Sequence, residues 1–513
     1  MAQSFIPDKK ILTAFLAILG MLLACVQTSM PDSQPFLPPT LASNNAASTS
    51  TPITLNGVPV TRPPVGPLLT PTPDPPHALP ILREKSEQYV VQPNDTLNQI
   101  AQRYSVQVQA IVDANNLASA DTIEVGQVLV IPVATPQGPG PDFKIIPDSE
   151  LVNTKTSVQY DINAFINSQH GYLAGYSGEA EGVTLSGAQI VARLSQDYSV
   201  NPRLLLAVLE YQSGWVTQAA PAENTLDYPI GIKVASRKGL YHQLAWAADN
   251  LNRGYYMWRV NGVAAWLLAD GSVIPIPPTI NAGTAGVQHF FSQLNDRVNW
   301  DRAVSANGLF ATYSALFGYP FDYTFEPILP PDLTQPVLQL PFETGVTWAF
   351  TGGPHGGWGS GSAWAALDFA PRLEILGCMQ SNAWEVAVAD GLIVRASDGA
   401  VVQDLDGDGF EGTGWTILYM HVESRERVQP GTYLLAGERI GHPSCEGGYS
   451  TGTHLHLARR YNGEWIPADQ AIPFVLDGWV SSGLGNEYDG YLLKEDRTVE
   501  AIEGFFPENA IQR

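Results

Sequence analysis

The densest concentration of side chains able to do chemistry lies in the last third of the chain. Thr453-His454-Leu455-His456-Leu457 alternates in polarity, and a strand with that period puts His454 and His456 on one face. Leu418-Tyr419-Met420-His421-Val422 offers a third imidazole in an apolar run that reads as a buried strand. Upstream, Gly352-Gly353-Pro354-His355-Gly356-Gly357 leads into Leu367-Asp368-Phe369-Ala370, which adds another imidazole and a carboxylate. Neutral imidazole nitrogens and a carboxylate are the donors that a catalytic zinc ion takes, three at a time, leaving one position for water. Such an ion polarises a carbonyl and activates water near neutral pH, which is hydrolytic chemistry. His442, before Pro443, reads as structural.

Imidazoles so far apart in sequence meet only if strands bring them together. From about residue 337 the chain consists of short β-compatible runs separated by glycine-containing turns, so an all-β domain built on an antiparallel sheet is expected. The four segments resemble the lysostaphin-type zinc endopeptidases, which bind zinc through two histidines and one aspartate. In the commoner branch of that family the first ligand stands four residues before the aspartate, where this chain has Trp364. The beta-lytic or staphylolysin branch places it thirteen residues before, in a Gly-Gly-x-His context, and His355 and Asp368 have that spacing. The resemblance covers 337–495, including Gly478-Trp479 and Tyr488-Asp489-Gly490, and leaves 496–513 as a C-terminal tail. It implies His355, Asp368 and His456 as zinc ligands, His421 and His454 as catalytic groups beside the attacking water, and Tyr488 as a hydroxyl at the oxyanion. It also implies a substrate: the peptide cross-bridges of peptidoglycan.

Asp404-Leu405-Asp406-Gly407-Asp408-Gly409 has the alternating oxygen ligands and central glycine of a calcium loop, although Trp415 stands where a bidentate glutamate belongs. Calcium held by Asp404, Asp406 and Asp408 and an ordinary Asp-Gly hairpin turn both remain open. Cys378 and Cys445 form an even pair within this domain, which in an oxidising exterior reads as a disulfide, with two buried thiols as the alternative.

The first residues carry compartment information. Lys9 and Lys10 precede the apolar run Ile11 to Ala24, of signal-peptide length and short for a membrane span. The ending Leu22-Leu23-Ala24-Cys25 resembles the lipobox of bacterial lipoproteins, which implies that residues 1–25 form a lipoprotein signal with Cys25 lipidated. The expected location is the outer face of the bacterial cytoplasmic membrane, or the cell wall after secretion. An uncleaved anchor and a plain signal peptide are the alternatives. Residues 26–86 are rich in Pro, Thr and Ser and poor in aromatics, the composition of a disordered tether.

Residues 88–132 read as a β-α-α-β unit and strongly resemble a LysM domain. The matching residues are Tyr89-Val90-Val91-Gln92-Pro93-Asn94-Asp95-Thr96-Leu97, Ile100-Ala101, Ala114-Asn115-Asn116-Leu117 and Val125-Gly126-Gln127-Val128-Leu129-Val130-Ile131-Pro132. Asn94 stands where the family usually has glycine and tolerates the same positive φ. The resemblance implies binding of N-acetylglucosamine-containing glycan by Asp95, Thr96 and Leu97 on one loop and Asn116 and Leu117 on the other. Leu97, Ile100 and Ile111 also read as core. A single unit of this kind acts as an adaptor that raises local concentration.

Pro-Gln-Gly-Pro-Gly-Pro marks 133–150 as a linker. Residues 151–328 have helical periodicity, with Ile190, Leu194 and Tyr198 on one face and Pro202 opening an apolar stretch as a helix start would. Glu210-Tyr211-Gln212-Ser213-Gly214 resembles the helix end that carries the catalytic acid of goose-type lysozymes and lytic transglycosylases. The acid position there is Gln212, and an amide cannot donate a proton as a general acid. A helical wall-binding or spacer domain is therefore preferred to a glycan-cleaving one.

The whole is a multidomain chain: a LysM module, a mainly α middle domain and an all-β peptidase domain. Its net charge of −23 over 513 residues excludes sequence-independent nucleic-acid binding, which needs Lys and Arg to replace phosphate counterions. The expected function is zinc-dependent cleavage of peptidoglycan cross-bridges, with LysM holding the enzyme on the glycan. The alternative is a non-catalytic wall-binding scaffold, or an activator of another wall hydrolase.

Overall fold

The structure, a computed structural model, describes residues 71–92, 95–120, 122–372 and 377–513. The leader with Cys25, the tether up to residue 70 and the turn at Asn94 lie outside the described residues. Among the described residues no helix is long and apolar enough to cross a membrane.

The LysM unit pairs β1 (Glu87–Val90) with β2 (Val128–Ile131) antiparallel and packs α1 (Leu97–Arg103) and α2 (Val108–Asn115) against them. Thr96 caps α1 in a box with Gln99, which explains why the helix begins there. Leu97 is 1% exposed and belongs to the core, so it is not a glycan contact, whereas Asn116 is exposed and takes the left-handed conformation that ends α2. Asp95 accepts hydrogen bonds from the Tyr89 hydroxyl and the Gln92 amide, both at 2.7 Å, which fixes the loop ahead of α1.

The middle region is helical. Ser186 and Gln189 box the start of α3 (Gly187–Tyr198), and α4 (Pro202–Ser213) has proline in its first turn and ends at Gly214 in the left-handed region. The twenty-residue α5 (Leu240–Arg259) packs on α6 (Ala282–Ser292). Between them a hairpin of β3 (Ala265–Leu267) and β4 (Val273–Pro275) receives the LysM unit. Gln102 bonds to Gln293, the Ser105 hydroxyl to the Ala265 carbonyl and Gln107 to the Gly271 carbonyl. These contacts come from the last turn of α1 and the α1–α2 turn, at the opposite end of both helices from Asp95 and Asn116. LysM is therefore seated, with its Asp95 and Asn116 loops at the far end.

Two expected connectors are packed segments. In 133–150, Ile145 and Ile146 are fully buried and the Gln137 amide bonds to Val273. In 71–86, His77 stacks on Trp258 and Lys144 pairs with Asp74 at 2.7 Å. Composition registers proline and glycine but not the hydrophobic partner waiting elsewhere in the fold.

The C-terminal region is built on a nine-stranded antiparallel sheet of β5 (Thr347–His355), β6 (Ala366–Pro371), β7 (Gly391–Ser397), β8 (Ala400–Asp404), β9 (Trp415–Met420), β10 (Tyr433–Leu434), β11 (Leu455–Tyr461), β12 (Glu464–Trp465) and β17 (Ala510–Gln512). The order is β10-β7-β8-β9-β11-β6-β5-β17, with β12 pairing the end of β11. A second sheet runs β13 (Val475–Leu476), β14 (Trp479–Gly483), β15 (Gly490–Lys494), β16 (Arg497–Glu500) in sequence order. Residues 496–513 are thus no tail: β16 completes this sheet, and β17 pairs Gln512 with Thr347 at the edge of the large one.

The two faces of the large sheet have different neighbours. Leu367, Phe369, Val401, Tyr419, Leu455 and Leu457 share a core with Trp479 and Leu492 of the smaller sheet. Ala366, Ala400, Val402, Leu418, Met420 and Ala458, the alternate residues, join the core of the helical region. Asp368 and His456 share parity with this second set, so the helical region covers the sheet face that carries them.

Candidate metal centre

The register brings the sequence-identified residues together. His456 on β11 lies directly opposite Asp368 on β6, which is also opposite Gly352 on β5, and His355 closes β5. His355 Nδ1 is 2.8 Å from the Gly353 carbonyl and His456 Nε2 is 3.1 Å from the Gly357 carbonyl. A carbonyl only accepts, so those nitrogens carry the protons and His355 Nε2 and His456 Nδ1 keep lone pairs. The two bare nitrogens are 2.9 Å apart, and Asp368 Oδ1 lies 3.2 Å from one and 3.3 Å from the other.

This geometry fits a metal ion. Asp368 Oδ1 is buried with no hydrogen-bond donor of its own, and the three potential ligand atoms lie within 4.8 Å of one another. A buried carboxylate oxygen facing two lone pairs is costly unless a cation sits among them. Burial works to raise the Asp368 carboxyl, but the neighbouring imidazoles of His355 and His454 hold it well below the usual carboxylate range. Burial works to lower the His355 imidazole, and Asp368 outweighs it and raises it, whereas His456 is lowered by burial.

His421 and His454 stand beside this cluster. Their ring centroids are 4.5 Å apart, His421 is 6.2 Å from the His456 ring, and His454 Nε2 is 3.8 Å from Asp368 Oδ2. Burial first, and the neighbouring imidazoles second, push the His421 imidazole down to about 3, so it is neutral at physiological pH. Its Nδ1 donates to the Glu446 carbonyl, and His454 Nδ1 to the Gly452 carbonyl. Tyr488 stacks on His355 with ring centroids 4.2 Å apart and is 54% exposed, which puts it on the open side of the cluster.

Cys378 and Cys445 are joined by a disulfide across a sequence separation of 67. It ties the segment before β7 to the loop leading into His454, where the Thr453 amide also bonds to the Gly377 carbonyl. Reducing it is expected to destabilise the chain by about 4 kcal/mol, from the loop entropy returned to the unfolded state. Urea unfolding of the oxidised and reduced chains, followed by tryptophan fluorescence, measures this; equal midpoints refute it.

Asp404, Asp406 and Asp408 also gather, each with an oxygen within 4.8 Å of the others. Their oxygens already accept from the amides of Asp406, Gly409, Asp408 and Phe410 and from the Thr413 hydroxyl. The lysozyme-like helix end holds no acid in waiting. Glu210 accepts from the amides of Val216 and Thr217 and from the Thr217 hydroxyl, and Gln212 donates to the Ile230 carbonyl.

Sequence inspection missed the Gly353 and Gly357 carbonyls, which choose the imidazole tautomers. A backbone carbonyl leaves no residue-type signal, although the glycines around His355 mark a place where backbone comes close.

Residues 144–330 match the family model described as LasA, N-terminal domain, and residues 89–132 match the LysM domain. Protease LasA of Pseudomonas aeruginosa is 27% identical over 292 residues, covering 52% of this chain and 65% of that protein. Beta-lytic metalloendopeptidase of Achromobacter lyticus is 29% identical over 161 residues, covering 30% of this chain and 40% of that protein. The match therefore spans just under two thirds of the LasA length. Among solved structures, the M23 metalloprotease pseudoalterin aligns at 23% identity over 34% of this chain and 99% of its own, with a TM-score of 0.28. On the sequence matches, the chain is similar to protease LasA and to the beta-lytic metalloendopeptidases, with a region like the LasA N-terminal domain at 144–330 and a LysM domain at 89–132.

Proposed function

We propose that the chain is a zinc-dependent endopeptidase that hydrolyses peptide cross-bridges of peptidoglycan and is held on the wall by its LysM unit. The observation that supports this most is the convergence of His355 Nε2, Asp368 Oδ1 and His456 Nδ1 with no donor on the carboxylate oxygen. Zinc bound by these three residues supplies a Lewis acid for the scissile carbonyl and lowers the pKa of water. The rest of the chemistry falls to the chain. His421, bonded through Nδ1 to the Glu446 carbonyl, leaves Nε2 free to accept a hydrogen bond from the attacking water, the position of a general base. His454, oriented the same way by Gly452, stands next to Asp368 to hold a proton or donate to the oxyanion. Tyr488, on the open side, is the hydroxyl assigned to the developing oxyanion.

The LysM loops, with Asp95, Thr96, Asn116 and Leu117, take N-acetylglucosamine-containing glycan. Export with a lipid on Cys25 places the enzyme at the outer face of the cytoplasmic membrane or in the wall, where the disulfide suits an oxidising medium. A non-catalytic scaffold has less support, because the full ligand set is retained.

The full chain is the right sample, since Leu418, Ala458 and Trp465 of the sheet lie in a core shared with the helices. Incubated with purified peptidoglycan, it is expected to release peptides with new amino termini, identified by mass spectrometry. A zinc chelator should abolish release and added zinc restore it. Release of reducing sugar ends instead, or no release by the zinc-loaded chain, would overturn the proposal.

A further inference from the structure

Ten residues, 356–365, join His355 to β6 and so to Asp368. The inner side of this loop serves the metal cluster: the Gly357 carbonyl takes the His456 Nε2 proton, and the Gly357 amide bonds back to Ala363. Its outer side is built against α5 of the helical region. Asp249 accepts from the Gly361 amide at 2.7 Å and from the Ser360 hydroxyl at 2.9 Å. Arg253, one helical turn on, donates to the Ser360 carbonyl at 2.9 Å and to its hydroxyl at 2.8 Å. The approach is close enough that a Cβ on Gly361 would fall 1.8 Å from the Asp249 carbonyl oxygen. Trp358, between these two sides, has its ring edge-on to Tyr198 of α3.

We infer that Asp249 and Arg253 are positioning residues for the metal: α5 holds the loop whose Gly357 carbonyl presents His456 Nδ1 to the ion. This rests on the zinc reading above. A loop with three glycines among its first four residues has little conformational preference of its own. A carbonyl at its inner turn is therefore only as well placed as its outer anchor. Groups that orient a zinc-bound histidine from outside the coordination sphere typically contribute about 10- to 100-fold to metal affinity.

The test uses the full chain and reads zinc affinity by competition with a chelating fluorophore, together with the visible spectrum of the cobalt(II) form. Asp249→Ala is expected to weaken zinc by about tenfold or more and to alter the cobalt bands. Asp249→Asn keeps an acceptor for Gly361 and should recover much of the loss. Gly361→Ala attacks the same contact from the loop with Asp249 intact, and should weaken zinc equally. Ser199→Ala removes a different interdomain bond, to the Gly463 carbonyl beyond the far end of β11, and should leave zinc affinity unchanged. Wild-type affinity in folded Asp249→Ala and Gly361→Ala overturns the inference, as does an equal loss in Ser199→Ala. A wild-type chain that binds no zinc overturns the metal reading itself.

Discussion

Asp368→Asn is expected to lose zinc and turnover together: metal content falls from one ion per chain to a small fraction, and peptidoglycan cleavage drops by about 10³-fold or more, the several kcal/mol a Lewis acid supplies. Asparagine has the shape of aspartate, so the site keeps its packing and loses only the charge and one lone-pair donor. That isolates the electrostatic argument, because Asp368 Oδ1 is the one anionic oxygen in contact with both bare imidazole nitrogens. His355→Ala should behave the same way, removing the nitrogen 2.9 Å from His456 Nδ1. His421→Ala separates the roles. Its ring lies outside the three-ligand cluster, so zinc should stay bound while turnover falls by about 10²- to 10⁴-fold, the range of a lost general base. Metal analysis beside initial rates distinguishes these outcomes. Zinc retained in Asp368→Asn, or lost from His421→Ala as completely as from His355→Ala, would show that the ligands are assigned wrongly.

The parts of the site legible in sequence were those with short-range signals. Histidines two apart in a strand, and a histidine and aspartate at a fixed spacing, depend on local geometry that residue order preserves. His454 and His456 do approach the same carboxylate, as period-two alternation requires. What the residues could not show was anything decided by a distant partner. Ile145 and Ile146 sit in a stretch whose glycines and prolines read as linker, yet both are fully buried. Ala510–Gln512 looks like a fraying end until the edge of β5 is there to receive it. Asp249 and Arg253 on a long amphipathic helix have the appearance of a solvated face, and their partner lies over a hundred residues away at Ser360. LysM reads as an adaptor beside a linker; Ser105 and Gln107 of its α1–α2 turn seat it on β3–β4 instead.

The largest stability effect outside the metal cluster should come from Arg395→Ala. Its guanidinium is buried between the helical region and the sheet, where it donates to Asp197 of α3 at 2.5 Å and holds Glu411 with two bonds at 2.7 and 3.1 Å. Glu411 keeps a second partner in Arg460 at 2.7 Å, but Asp197 would be left with Arg193 at 3.5 Å. Burial pushes the Asp197 carboxyl up even with both arginines present, so removing one strands a charge that water cannot reach. Breaking a buried pair from one side typically costs about 3–5 kcal/mol, because the remaining ion loses its compensation. The double variant Asp197→Asn with Arg395→Ala tests that cause. If the stranded carboxylate is the main cost, the second substitution recovers part of the first, although it removes another charged group. Trp358 and Trp465 lie at this interface and report its opening in urea. A double variant less stable than Arg395→Ala alone would mean that lost packing around the guanidinium, and not the uncompensated charge, dominates.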